Sequence, residues 1–133
     1  MASIFTRIVN GEIPCYKIAE DERFFAFLDI NPLAKGHTLV IPRQETDYLF
    51  NLEDPLLADL MVFAKRIARA IEAEVPCQRI GVTVIGLEVP HAHIHLIPLQ
   101  TMHDMDFAKA RVEMSSEEFA DLARRISAHV VAG

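Results

Sequence analysis

The chain has 133 residues, 51% of them apolar and 24% charged, enough to build the core of one globular domain spanning residues 1–133. A formal net charge of −6 without a basic stripe excludes a nucleic-acid partner, so any nucleotide bound should be small and held by local groups. Cys15 and Cys77 belong to no CxxC pair, the N-terminus has no apolar signal region, and no stretch approaches membrane-spanning length, so free thiols, no membrane partner and a cytoplasmic address are expected.

In chain order, residues 16–20 and 24–30 flank the turn Asp21-Glu22-Arg23 and read as a hairpin that Asn31-Pro32 ends. After the loop Leu33-Ala34-Lys35-Gly36, residues 37–41 read as a third strand, stopped by Pro42 because proline has no N–H for the ladder. Asp54-Pro55 offers an N-cap and a first-turn proline. Leu56, Leu57, Leu60, Phe63, Ala64, Ile67, Ala68 and Ile71 then recur at helical spacing until Pro76, a stripe wide enough to bury on two sides. Residues 81–85 form a fourth strand, residues 86–89 a short turn, and the histidine-rich segment after Pro90 a fifth strand whose pairing starts at His91. A final helix begins near Ser115-Ser116, where Ser115 and Glu118 have capping-box spacing, and runs through Phe119, Leu122, Ala123 and Ile126. The elements predict an α+β fold: a five-stranded, mainly antiparallel sheet with one long helix and a C-terminal helix on one side.

The run Pro90-His91-Ala92-His93-Ile94-His95-Leu96-Ile97-Pro98 carries three of the six histidines at alternate positions. A strand has a side-chain period of two, so His91, His93 and His95 should share one face while Ala92, Ile94 and Leu96 point to the other. Aligning three groups that desolvate poorly and repel when protonated costs stability unless a function offsets it. The run is internal and alternates with apolar residues, which excludes a purification tag. Imidazole, with an ordinary pKa of roughly 6.5, suits a nucleophile, a proton shuttle or a metal ligand. The pattern narrows the chemistry to phosphorus or metal.

The segment His91-Ala92-His93-Ile94-His95-Leu96-Ile97 resembles the signature of the histidine triad (HIT) superfamily, in its HINT-like branch of nucleotide hydrolases and transferases. Ile4-Phe5, Gly11-Glu12-Ile13-Pro14, Phe27-Leu28-Asp29-Ile30-Asn31-Pro32 and Gly36-His37-Thr38-Leu39-Val40-Ile41-Pro42 resemble family segments in the same order, so the likeness covers nearly the first 100 residues. The resemblance implies a HIT-like fold and cleavage at the α-phosphorus of a nucleoside phosphate derivative (phosphoramidate, adenylate or dinucleoside polyphosphate) through a nucleotidyl-histidine. It implies that His93 is the nucleophile, that His95 contacts the phosphate oxygens, and that His37 and His91 form a relay near the leaving group. Ile4, Phe5, Ile8, Phe27 and Ile30 would wall a base pocket, purine favoured, and Asp29 would accept from the ribose hydroxyls. Plain core packing of the apolar set, a buried structural His37 and a strand-end cap at Asp29 are the alternatives for those residues. The resemblance also implies a two-fold dimer, consistent with the excess of apolar positions on the long helix.

The chain departs from the family in two places. Many members bind structural zinc through a Cys-x-x-Cys pair and histidines, but Ser3, Thr6 and Glu45 stand at those positions, so neither a metal nor another cofactor is expected. Where the family shows an asparagine and then Gly-Gln-Ser/Thr before the triad, this chain has Gly86-Leu87-Glu88. A Glu88 carboxylate beside a phosphate would disfavour anionic leaving groups and favour neutral or cationic ones. Two other readings of the histidines stay open: a metal-dependent hydrolase with Glu88 or Asp29 as a carboxylate ligand, and a noncatalytic nucleotide-binding module.

Overall fold

Strand β2 (Phe24–Leu28) is buried along its whole length, and its alternation sorts the interior of the computed structural model, which describes residues 2–131, into two apolar layers. Phe24, Ala26 and Leu28 point into the larger layer, with Val40, Ile94 and Leu96 from neighbouring strands. Phe25 and Phe27 point into the smaller one, with Leu39, Ile41 and Phe5. Burying side chains of this size contributes about 1.5–3 kcal/mol each, so a strand that feeds both layers anchors the sheet.

The remaining elements are helix α1 (Ile4–Val9) and strands β1 (Lys17–Glu20), β3 (Thr38–Pro42), β4 (Arg79–Thr83) and β5 (Ile94–Leu99), with helices α2 (Asp54–Glu74) and α3 (Ser116–Ser127). The sheet order is β1-β2-β3-β5-β4 and every ladder is antiparallel. This is the expected α+β architecture. Helix α2 buries Leu60, Phe63, Ala64, Ile67, Ala70 and Ile71, and α3 buries Phe119, Leu122, Ala123 and Ile126, against the larger layer. Ser115 and Glu118 close the expected capping box. Among the described residues no helix is long and apolar enough to cross a membrane.

Four details differ from the sequence reading. Helices cover both faces, because α1, for which no helix was expected, carries Phe5 onto the smaller layer; Ser3 caps it by accepting from the Thr6 N–H at 3.0 Å. The N-cap of α2 is Glu53, which moves Asp54 and Pro55 into the first turn. Strand β4 starts at Arg79 and ends at Thr83, two residues ahead of the expected span at both ends. Strand β3 includes Pro42 as its last residue instead of stopping just before it. The Arg43 N–H bonds to the Arg23 carbonyl, so odd-numbered positions face β2, and the missing N–H of Pro42 faces β5 beyond the last β3–β5 pair, Val40↔Ile94.

Gly36 adopts φ +97°, and a Cβ there would lie 3.1 Å from Val75 Cγ2 and 3.2 Å from Pro98 Cγ; Gly11, at φ +79°, has open space around the same position. Gly36→Ala is therefore expected to lose about 1–3 kcal/mol of stability from backbone strain and to suffer crowding in addition, whereas Gly11→Ala bears the strain alone. Urea unfolding of both variants checks this; equal midpoints for the two would show that the crowding at Gly36 is relieved without cost.

Candidate active site

The triad segment leaves the sheet before its first two histidines, so pairing begins at Ile94 and not at His91. Opposite it, Pro42 offers no N–H, and its carbonyl is taken by the His91 side chain, Nε2 to O 2.7 Å. The Ala92 N–H turns instead to the Thr46 carbonyl at 2.7 Å. Alternation nevertheless survives, and Ile94 and Leu96 enter the larger core while His91 and His93 are buried edge-on to Phe5, whose ring meets Phe27, and His95 is buried beside His93.

Backbone partners fix the protons on these rings. A carbonyl can only accept, so the 2.8 Å contact of His93 Nδ1 with the His91 carbonyl places a proton on Nδ1. In the neutral ring the lone pair is then on Nε2, the nitrogen without that bond. At the second histidine pair the sense is reversed. The Leu33 N–H donates to His37 Nδ1 at 3.0 Å, so neutral His37 carries its proton on Nε2. That proton is donated across 3.0 Å to His95 Nδ1, leaving His95 with an Nε2–H to offer. The ring centroids of His93 and His95 are 4.9 Å apart. A nucleophilic lone pair and a hydrogen-bond donor thus stand side by side, the requirement for attack on a phosphorus whose oxygen gains charge.

Desolvation favours the neutral form of His37, His91 and His95. Burial, with only partial opposition from Asp29, holds His37 at about 4. Burial, reinforced by His93, His37 and the Arg111 charge, holds His95 at about 3. His91 is lowered chiefly by burial as well. His37 bonds to His95 and not to His91, so the expected relay between His37 and His91 does not form.

Ser3, Thr6 and Glu45 do converge on His91. Ser3 Oγ lies 2.8 Å from His91 Nδ1, and Glu45 Oε1 accepts from the Ser3 N–H at 2.6 Å and from the Thr6 hydroxyl at 2.7 Å. The Ser3 N–H, more than any other partner, holds the Glu45 carboxyl at about 2. This set does not suit zinc. It offers no thiolate, one Glu45 oxygen already serves two donors, and His91 spends both ring nitrogens on protein partners. Elsewhere, Asp29, His37 and His95 are the one group among the described residues close enough to hold a cation. The proton that Leu33 forces onto His37 Nε2 occupies the lone pair such a cation would need, which counts against a metallohydrolase.

The other residues singled out in the sequence separate. Phe5, Phe27 and Ile8 meet in the smaller layer, whereas Ile4 and Ile30 are exposed, Ile30 by 71%. The Asp29 N–H bonds to the His37 carbonyl, which extends the β2–β3 register and brings the Asp29 carboxylate to 3.5 Å from His37 Nε2. Its other oxygen accepts from the Asn31 N–H at 2.8 Å, so Asp29 is both a strand-end cap and a neighbour of the histidines. Glu88 is exposed on the loop between β4 and the triad. Two residues beside the histidines escaped the sequence reading: Phe107, whose ring is 5.0 Å from that of His95, and Arg111. Both lie in an aperiodic stretch with no pattern to single them out.

The fold, the triad and the residues around it define a histidine-triad protein, and the HIT domain family matches residues 10–102. The chain belongs to the HIT family. It is 35% identical over 133 residues to adenosine 5'-monophosphoramidase hnt1 of Schizosaccharomyces pombe, covering 98% of this chain and 99% of that protein. It is 34% identical over 135 residues to an uncharacterized HIT-like protein of Borreliella burgdorferi, covering 96% and 97%. Among solved structures, a zinc-bound histidine triad family protein from Mycobacterium smegmatis superposes with a TM-score of 0.82 at 29% identity, over 98% of this chain and 94% of that one.

The depressed histidines make stability depend on pH with a definite sign. Below the ordinary value of roughly 6.5 the unfolded chain takes up protons that His37, His91 and His95 resist in the fold, so stability is full above that value. It declines as pH falls from there through about 4 for His37 and about 3 for His95. Urea unfolding between pH 7 and 5, where carboxylates stay mostly ionised in both states, is expected to show stability falling steadily. A flat profile over that interval would mean that the histidines are not held neutral.

Proposed function

We propose that the chain is a nucleotide hydrolase or nucleotidyl transferase acting at the α-phosphorus of a nucleoside phosphoramidate, adenylate or dinucleoside polyphosphate. The observation that carries this reading is the pairing of an Nδ1-protonated His93 with an Nε2-protonated His95. His93 Nε2 attacks phosphorus, the bond from phosphorus to the leaving group breaks, and the leaving nitrogen or oxygen departs with its electron pair and takes up a proton. Water then breaks the phosphorus–nitrogen bond to His93 and releases the nucleoside monophosphate. His95 Nε2–H stabilises the charge on a phosphate oxygen, and His37 holds His95 in that tautomer. His91 aligns His93 through its carbonyl. Asp29 reads the ribose, Phe5, Phe27 and Ile8 back the base pocket, and Ile4 and Ile30 rim it. The adenosine 5'-monophosphoramidase relative supports an adenine nucleotide.

A noncatalytic nucleotide-binding module is the second reading, favoured by the exposed Leu87 and Glu88 where donors to the leaving group would be needed. Trapping separates the two. With adenosine 5'-phosphoramidate as substrate, a rapid quench in alkaline denaturant, in which a phosphorus–nitrogen bond to imidazole survives, should recover an adenylylated chain from the native protein and none from His93→Ala, whose turnover should vanish while AMP binding persists. Substitution of His95 or His37 should cost about 10²–10⁴-fold in kcat. Strong chelator should leave the native rate unchanged. Undiminished turnover in His93→Ala would remove the assignment.

The same reading includes a two-fold dimer. Strand β4 lies at the sheet edge and exposes Val82, followed by exposed Val84 and Ile85, while α2 exposes Met61 and Val62. An isologous contact would cover these surfaces. Sedimentation at micromolar concentration should give a dimer, and Val82→Lys with Val62→Glu should shift it to monomer; a native monomer would count against the assembly.

A further inference from the structure

We propose that Phe107 and Arg111 are positioning residues for His95: the segment that carries them closes over the His37–His95 pair, excludes water from it and sets a fixed cation beside it. The segment runs from the end of β5 to the start of α3, most of it past residue 102, where the match to the HIT domain ends. It is tied at both ends. Thr101 and Asp104 form a reciprocal cap at its start, and the Val112 N–H bonds to the Pro32 carbonyl at 2.9 Å near its finish. Between these points Phe107 presents itself edge-on to both imidazoles, with ring centroids 5.0 Å from His95 and 6.2 Å from His37 and interplanar angles of 77° and 82°.

Arg111 is held in place by three contacts. Its Nη1–H donates to the Asn31 carbonyl at 3.0 Å, its Nη2–H donates to the Phe107 carbonyl at 3.3 Å, and its Cζ lies 5.5 Å from the Phe107 ring centroid. A guanidinium has five N–H donors, so two carbonyls immobilise it and leave others free. Its charge lowers both His37 and His95. The other ionisable groups acting on the pair are His93, which opposes protonation of His95, and Asp29, which favours protonation of His37. Asp104 and Lys109 of the same segment pair with each other at 3.4 Å.

The physical consequence is specific. His95 can donate from Nε2 while accepting from His37 only as a neutral ring. Water at the His37–His95 bond would lower the cost of a proton there, and loss of the nearby cation would lower it further. Phe107 and Arg111 therefore preserve the hydrogen-bonding sense of the pair, and Arg111 favours an anionic ligand through the same field. The catalytic consequence rests on the hydrolase reading, but the protonation behaviour does not.

The test is an imidazole titration by long-range ¹H–¹⁵N spectra from pH 7 down to about 2.5, low enough to pass the His95 midpoint, on the native chain and on Phe107→Ala, Phe107→Leu, Arg111→Gln and Arg111→Lys. In the native chain His37 and His95 should stay neutral with the proton on Nε2 throughout most of this range. In Phe107→Ala and Arg111→Gln the His95 midpoint should rise by about one pH unit, while Phe107→Leu and Arg111→Lys restore most of the native value. The acid limb of kcat/KM for adenosine 5'-phosphoramidate should rise in step, and AMP should bind Arg111→Gln more weakly. A purely structural role would lower the unfolding midpoint and leave the His95 titration in place; unchanged His95 midpoints in both variants overturn the proposal. Shifted midpoints in a chain without turnover would support the positioning role and refute the hydrolase.

Discussion

Two backbone groups, the N–H of Leu33 and the carbonyl of His91, decide where the protons sit on the buried imidazoles, and the rest of the site depends on that choice. An imidazole without a fixed partner exchanges tautomers, and a nucleophile in the wrong tautomer has no lone pair to give. The His91 carbonyl removes this freedom from His93, and the Leu33 N–H removes it from His37 and, through one further bond, from His95. Backbone partners suit the task because they belong to rigid segments and do not titrate. The His91 carbonyl is available because its strand has left the ladder, a departure that Pro42 makes favourable by offering no N–H to hold it.

Burial makes the same arrangement stable in its neutral form. A charge on any of these rings would stand close to other imidazoles and, for His37 and His95, in the field of Arg111. The neutral network by contrast pairs its ring nitrogens with one another, with the backbone and with Ser3, apart from the two that face a ligand, His93 Nε2 and His95 Nε2. Among the described residues no fully buried side-chain nitrogen or oxygen lacks a partner. A hydrogen-bonded array of neutral rings thus avoids the desolvation cost that charged groups would meet at this depth.

The cluster of Ser3, Thr6, Glu45 and His91 shows how one geometrical task is met by different chemistry. It joins the start of α1 to the stretch after β3 and to the first histidine of the triad, tying together three segments distant in sequence. Its strength lies in short bonds to an ionised carboxylate and not in a metal. The HIT domain itself ends at residue 102, and the stretch beyond brings Phe107 against His37 and His95. The site is therefore flanked by a part of the chain beyond the domain match.

Much of this was legible in the residues. Alternation in 91–96 put the histidines opposite Ile94 and Leu96, and helical spacing gave α2 and α3, because periodic burial leaves a periodic trace. The likeness of the triad and its upstream blocks to one family pointed to the fold and to His37 as a fourth histidine. Only the tertiary structure decided that His37 pairs with His95, that His91 is held by Pro42 and Ser3, and that Phe107 and Arg111 stand over the site. Those facts depend on contacts between segments far apart in the chain, such as 58 residues for His37 and His95 and 88 for Ser3 and His91. A sequence determines which side chains share a face because that follows from local backbone geometry. Which nitrogen meets which partner follows from distances between separate segments, and these exist only once the sheet has formed and the loops have packed against it.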